Sequence, residues 1–272
     1  MRKRVFTAAL LLPLLLAILL VAPKIMTAIL VAVMSAIAVY ELLYRTGLIH
    51  HLRLVAYSSA AAFFIPVWSY FGQIPAWGYA IVLAFFCALF AEMMANHVKV
   101  RFEKVCICFV AGLLIPFLFA SLVRILTPTN GRYYIMIPFV VAFLSDSGAY
   151  FVGCKCGKRK LAPVISPNKS VEGVVGGLVF AVAGMVLYTA VMQLIFKLQV
   201  NYALAILYGV VGTVADVFGD LCFSVIKRQT GIKDYGNLIP GHGGVLDRFD
   251  SMLVVAPLIE LLLHILPVVV KV

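Results

Sequence analysis

The chain has 272 residues, 64% hydrophobic and only 12% charged, with a formal net charge of +11. That is not the composition of a soluble globular domain, and the long apolar runs that recur along it read as an all-α polytopic membrane protein. The basic excess does not call for nucleic acid as a partner, because the basic residues fall between apolar runs, where cytoplasmic loops carry them.

In chain order, Met1-Arg2-Lys3-Arg4 leads into an apolar run with no small-residue cleavage site before Lys24, so 5–22 is read as a retained first span, with Pro13 placed to kink it. A second span at 25–44 follows a turn so short that the two form an antiparallel hairpin. After the basic loop 45–53 come a third span at 54–71, the turn Gly72-Gln73-Ile74-Pro75, and a fourth span at 77–95. The polar stretch 96–104 precedes a fifth span at 105–126, and 127–132 has turn chemistry before a sixth at 133–152. The basic loop 153–172 leads to a seventh span at 173–196, where Gly173, Gly176, Gly177 and Gly184 permit close helix contact. An eighth span at 202–223, the charged loop 224–250 and a ninth span at 251–270 complete the chain.

With the N-terminus in the cytosol, only Lys24, Arg124, Arg132, Lys197 and Lys271 of the 22 basic residues fall outside. The positive-inside rule therefore gives about nine spans, N-terminus cytosolic and C-terminus outside. The expected division is 1–132, holding spans one to five, and 133–272, holding spans six to nine with the cytosolic loops 153–172 and 224–250. Cys106/Cys108 and Cys154/Cys156 are C-x-C pairs lacking the further ligands of a zinc site, and reduced thiols are the expectation. Glu41, Glu92 and Glu103 sit near span ends and are expected to reach interfacial water. His50, His51, His97 and His264 have no ligand-like spacing, and Trp68, Trp77, Tyr133 and Tyr134 suit an interfacial belt.

The exception to all this apolarity is 216–250. It holds Asp216, Asp220, Asp234, Asp247 and Asp250 of the chain's 11 acidic residues, with Lys227, Arg228, Lys233 and Arg248. Charges this dense between apolar helices are a site by default. Carboxylates for a divalent cation, cations for phosphates and a glycine loop suggest metal-assisted phosphoryl or nucleotidyl chemistry. If the eighth helix continues to Arg228, then Asp216, Asp220, Ser224, Lys227 and Arg228 share one face. Two carboxylates one turn apart need a positive partner, a metal ion or a Lys or Arg; the plainer alternative is an intramembrane ion-pair network.

Pro240-Gly241-His242-Gly243-Gly244 lacks the P-loop spacing, but its glycines let backbone N–H groups approach an anion. Asp247 and Asp250 share a face at the start of the last helix, where capping would account for one of them. Further upstream, Asp146 between Ser145 and Ser147 is a costly carboxylate in an apolar span. Ser166, Asn168, Lys169 and Ser170 supply hydroxyls and an amine. Glu172 suits the positive end of the seventh helix, while Arg159 and Lys160 read as a solvated face.

The run S-x-x-K-R-x4-K-D-x-G-x2-I-P-G-H-G-G-x2-D-R-x-D, from Ser224 to Asp250, resembles the signature of the phosphatidate cytidylyltransferases, or CDP-diacylglycerol synthases. S-D-S-G-A-Y-x2-G and S-P-x-K-S-x-E-G-x2-G-G resemble that family too. The likeness covers the chain from about Phe143 onward, the N-terminal half matching only in hydropathy. One position departs: Phe223 stands where the family usually has Glu.

The resemblance implies transfer of CMP from CTP to phosphatidic acid, giving CDP-diacylglycerol and pyrophosphate, at the cytosolic face of a bacterial inner membrane. It implies Mg²⁺, leaving a second cation and a homodimer open. Asp220 and Asp247 are the first choices as metal ligands, with Asp216, Asp146 and Asp250 behind them. Lys169, Lys227, Ser166, Ser224, Arg228, Lys233 and Arg248 are expected to hold phosphates, and Gly241, His242, Gly243 and Gly244 to hold nucleotide phosphate through backbone N–H groups. Rival readings are a CTP-dependent lipid kinase, which would release CDP, and a cation-coupled transporter, which has no use for the glycine-basic loop and would be expected to show an inverted repeat, of which none is evident.

Overall fold

Apolar runs too long for a soluble core become helices that satisfy every backbone group internally, the form a bilayer demands. The computed structural model describes residues 11, 13–72, 74–241 and 243–270. Among them, 7 helices are long and apolar enough to cross a membrane. They are α1 (Lys24–Tyr40), prolonged by a π-helical turn at Glu41–Arg45; α2 (Leu52–Phe71); α3 (Pro75–Ala95); α4 (Phe102–Leu126); α5 (Met136–Cys156), preceded by the helical turn Gly131–Tyr134; α6 (Val171–Phe196); and α7 (Tyr202–Gln229). The chain is thus an all-α polytopic membrane protein. Residues 5–10 and 12 of the first expected span lie outside the described residues, and 13–20 are helical.

The last helix, α8 (Met252–Ile265), has 14 residues, short of the roughly 20 that cross a bilayer. The expected span 251–270 is shorter because Pro267 follows, after which Val269–Val270 pairs as β-strand with Gln199–Val200. The expected loop 153–172 is also more ordered than a loop. Helix α5 runs on to Cys156, and an antiparallel hairpin of Lys160–Ala162 with Ser166–Ser170 leads directly into α6.

The chain divides into two compact units. One comprises 1–129 with 227–249, the other 130–226 with 250–272. The boundary expected at 132/133 assigns 227–249 to the C-terminal region; in the structure that segment packs with the N-terminal helices.

In the first unit α1, α2 and α4 pack around small and aromatic residues such as Ala28, Ala32, Ala62 and Phe119, all fully buried. Lys24 donates to the carbonyls of Thr127 and Pro128, closing the C-terminal end of α4. Helix α3 leaves Trp77, Tyr79 and Leu83 exposed, as a lipid-facing helix does.

In the second unit α5 and α6 form a close antiparallel pair, with α8 against α5. A Cβ added at Gly176 would lie 2.5 Å from Val152 Cβ and one at Gly177 2.7 Å from the Ser145 carbonyl, so the glycines expected to permit close contact do so, against α5.

Candidate active site

Among the described residues, the expected site residues fall into two polar clusters, one in each unit. The cluster in the second unit is built on α7, which carries Asp216, Asp220 and Ser224 one turn apart. Asp216 is only 2% exposed and hydrogen-bonds with Ser145 and Ser251. Its Oδ1 is buried and has no hydrogen-bond partner among the described residues. Asp220 accepts from the Ser224 hydroxyl at 3.2 Å, and its Oδ2 lies 2.5 Å from the Lys169 ammonium.

Lys169 is delivered by the hairpin strand Ser166–Ser170, which the start of α6 holds in place. The Ser170 hydroxyl caps α6 by accepting from Gly173 N–H, and the Glu172 carboxylate accepts from the N–H groups of Lys158 and Arg159. Asp146, from α5, acts on Asp216 as a second negative charge. Ser145, Asp146, Asn168, Lys169, Ser170 and Asp216 line a cavity of about 190 Å³. The result is a pocket in which carboxylates face a lysine, with a buried carboxylate oxygen unmatched.

The cluster in the first unit is built on the loop after α7. Asp247 Oδ1 accepts from the Lys227 ammonium at 3.1 Å, and Oδ2 accepts from the N–H groups of Tyr235 at 2.8 Å and Gly244 at 2.9 Å. The Lys227 ammonium also lies 5.4 Å from the centroid of the Tyr235 ring. Glu41, at the end of α1, accepts from Val245 N–H at 3.1 Å and Leu246 N–H at 2.9 Å. Arg45 donates to Asn237 Oδ1 at 2.7 Å. Lys233, Arg228 and Arg248 are exposed around this core.

With these clusters in view, the comparisons with known proteins decide the family. The sequence profile of the cytidylyltransferase family matches residues 2–266, almost the whole chain. The chain belongs to the cytidylyltransferase family. A phosphatidate cytidylyltransferase of Staphylococcus epidermidis is 38% identical over 183 residues, 67% of either chain. One from Staphylococcus aureus is 36% identical over 185 residues, again 67% of each. A Bacillus subtilis phosphatidate cytidylyltransferase is 50% identical over 133 residues, 49% of this chain and 48% of its own. The resemblance read from the C-terminal half is borne out at the level of the family, and the protein is a membrane-embedded nucleotidyltransferase.

The second unit brings together Asp146, Lys169, Asp216, Asp220 and Ser224 from the expected set. Ser166 stands at the start of the hairpin strand, paired with Ala162, and Asp250 is buried just before α8, with Oδ1 accepting from Ser251 N–H. Lys227, Asp247, Gly243 and Gly244 meet in the first unit, where Gly241 is exposed; His242 lies outside the described residues.

Lys227 pairs with Asp247, while Asp220 takes Lys169. Both oxygens of Asp247, a first choice as metal ligand, are taken by protein donors. At the end of the glycine loop the Gly244 N–H turns inward to Asp247, and the next two amides go to Glu41.

Glu41 was expected at interfacial water but is 3% exposed, and Glu92, 5% exposed, is held by Asn96, His51 and Arg53 instead. Glu41 is the residue that sequence reasoning misses. The available signal was a single carboxylate at the end of an apolar run, which also describes Glu92.

Proposed function

We propose that this cytidylyltransferase acts on phosphatidic acid, transferring CMP from CTP to give CDP-diacylglycerol and pyrophosphate at the cytosolic face of a bacterial inner membrane. The observation that carries the reading is the family match over residues 2–266, joined to relatives that bear this activity in their names. The chemistry suits the clusters. A lipid phosphate is largely dianionic near neutral pH, its second pKa being about 6, so its oxygen attacks the α-phosphorus of CTP without a strong general base. A new P–O bond forms, the α–β bridging bond breaks, and pyrophosphate leaves. The obstacle is the meeting of two polyanions, which cationic side chains lower by neutralising and positioning them.

In this reading Lys169 binds substrate phosphate beside Asp220, and Ser224 orients the Asp220 carboxylate. Lys227, Lys233, Arg228 and Arg248, in the first unit, are the further cations suited to binding phosphate. Asp247 works through Lys227 and the loop amides. Mg²⁺ fits the second unit: Asp216 offers a buried carboxylate oxygen with no hydrogen-bond partner among the described residues, and Asp146 adds negative charge beside it. Asp216, with Asp146 beside it, would hold the ion, which would supply neutralisation of phosphate charge. Among the described residues no three acidic, histidine or cysteine side chains gather around one point, so water and phosphate would have to complete the ion's shell.

The test is incubation of purified protein with phosphatidic acid, Mg²⁺ and CTP labelled at the α-phosphate. Label should enter the lipid fraction with one pyrophosphate released per CDP-lipid. Appearance of CDP in solution with an unlabelled lipid product would identify a lipid kinase and overturn the reading.

A further inference from the structure

A carboxylate inside an apolar span is expensive unless hydrogen bonds or charges compensate it. Glu41 sits at the first position of the π-helical turn that ends α1, and such turns often mark functional positions. Its compensation comes from 204 and 205 residues along the chain, through the amides of Val245 and Leu246. The fit is tight from the other side as well. A Cβ on Gly236 or Gly244 would overlap the Glu41 carboxylate, so glycine at these positions lets the loop close on it. Asp247 gathers the amides of Tyr235 and Gly244 on the same loop, and Arg45, one turn beyond Glu41, reaches Asn237.

The amides of 235 and 244–246 are thus tied to two carboxylates. The loop's exposed cations, Lys233 and Arg248, project from a backbone anchored on α1. We infer that Glu41 is a positioning residue for CTP binding, holding the 235–246 loop so that the flanking Lys233 and Arg248 meet the triphosphate. This rests on the cytidylyltransferase reading and extends it to a residue of the N-terminal half.

The experiment uses the full chain in lipid nanodiscs, comparing wild type with Glu41→Gln and Gly244→Ala. Thermal stability, the CTP Kd by calorimetry and separate KM values for CTP and phosphatidic acid are measured. Glu41→Gln sets an amide NH2 against one of the two N–H groups the carboxylate accepts from, and Gly244→Ala presses a methyl group on the same carboxylate. Both should weaken CTP binding and raise its KM about tenfold, with the phosphatidic acid KM within about twofold of wild type. Should Glu41→Gln not fold, Asn237→Ala, which loosens the loop without exposing a buried charge, should give the same selectivity for CTP at smaller size.

Unchanged CTP affinity in folded variants overturns the inference. So does a loss of stability and turnover with both KM values raised alike, which would make Glu41 merely structural. Wild type that binds CTP but makes no CDP-lipid from phosphatidic acid would sink the substrate assignment and leave the Glu41 result readable through Kd. Wild type that does not bind CTP overturns both.

Discussion

Lys169 Nζ lies 2.5 Å from Asp220 Oδ2, with the two side chains 21% and 27% exposed. The pair joins the hairpin before α6 to the polar face of α7. Each partner would otherwise be an uncompensated charge near an apolar interior, so without substrate they neutralise one another. An arriving phosphate would compete with Asp220 for the lysine. Lys169→Met and Asp220→Asn should each lower turnover at least about 10²-fold, the scale of one lost electrostatic group. The double variant should lose less than the product of the single losses, because the two act as a unit. Strictly multiplicative losses would show that they serve independent steps.

Lys227 and Asp247 form the other pair, with side-chain exposures of 12% and 2%. In Asp247→Asn an amide donor must face either the Lys227 ammonium or the N–H groups of Tyr235 and Gly244. Breaking one side of such a buried pair costs about 3–5 kcal/mol. We expect a clear fall in thermal stability for Asp247→Asn and partial recovery in Lys227→Met/Asp247→Asn. A single variant as stable as wild type would mean that Asp247 does not organise the loop, and would return it to the metal-ligand candidates.

The spans and the carboxylates of α7 were legible because their physics is local. Apolar length marks a helix, and an aspartate inside it marks a site. The pairing of those charges was not legible. Lys227 and Asp220 share a helical face, but a shared face does not name their partners: the fold sets Asp247 against Lys227 and brings Lys169 to Asp220 from a hairpin that read as a loop. The glycines of 241–244 looked like a phosphate cradle because glycine allows any close approach. That the approaching group is Glu41 depends on a contact across most of the chain. The last helix read as a full span because 251–270 is apolar apart from Ser251, Glu260 and His264, while Pro267 and the pairing of Val269–Val270 with Gln199–Val200 end it early.

The glycine-lined contact of α5 and α6 has no room for side chains. Gly176→Val should push against Val152 and the Gly148 carbonyl and strongly reduce folded protein, with Gly176→Ala intermediate. Val179→Ala, on an exposed position of α6, is the control and should change little. Detergent-resistant yield and melting temperature measure this. Equal behaviour of Gly176→Val and the control would show that the helices separate without cost.

Helix α6 spans 26 residues, about 39 Å at 1.5 Å per residue, enough to carry Lys160 and Lys197 to opposite membrane surfaces. In a variant lacking the six native cysteines, cysteine at 160 should label from the cytosolic side and cysteine at 197 from the other. Labelling of both from one side would refute the proposed cytosolic placement of the hairpin.

Asp216 offers the sharpest separation of function from stability. Its carboxylate is 2% exposed, lies near Asp146, and has one oxygen without a hydrogen-bond partner among the described residues. A charge buried in this way destabilises the fold unless a cation or substrate group compensates it. Asp216→Asn keeps the shape and much of the bonding to Ser145 and Ser251 while removing that charge. In EDTA the variant should melt about 2–4 °C above wild type, the shift expected for roughly 1 kcal/mol in a protein of this size. Its turnover should nevertheless fall at least about 10²-fold. Added Mg²⁺ should raise the melting temperature of wild type and leave the variant unmoved, because only wild type has the carboxylate to bind it. An Asp216→Asn protein that is less stable in EDTA, or that gains as much from Mg²⁺ as wild type does, would show that Asp216 is a structural hydrogen-bonding group and that the ion sits elsewhere.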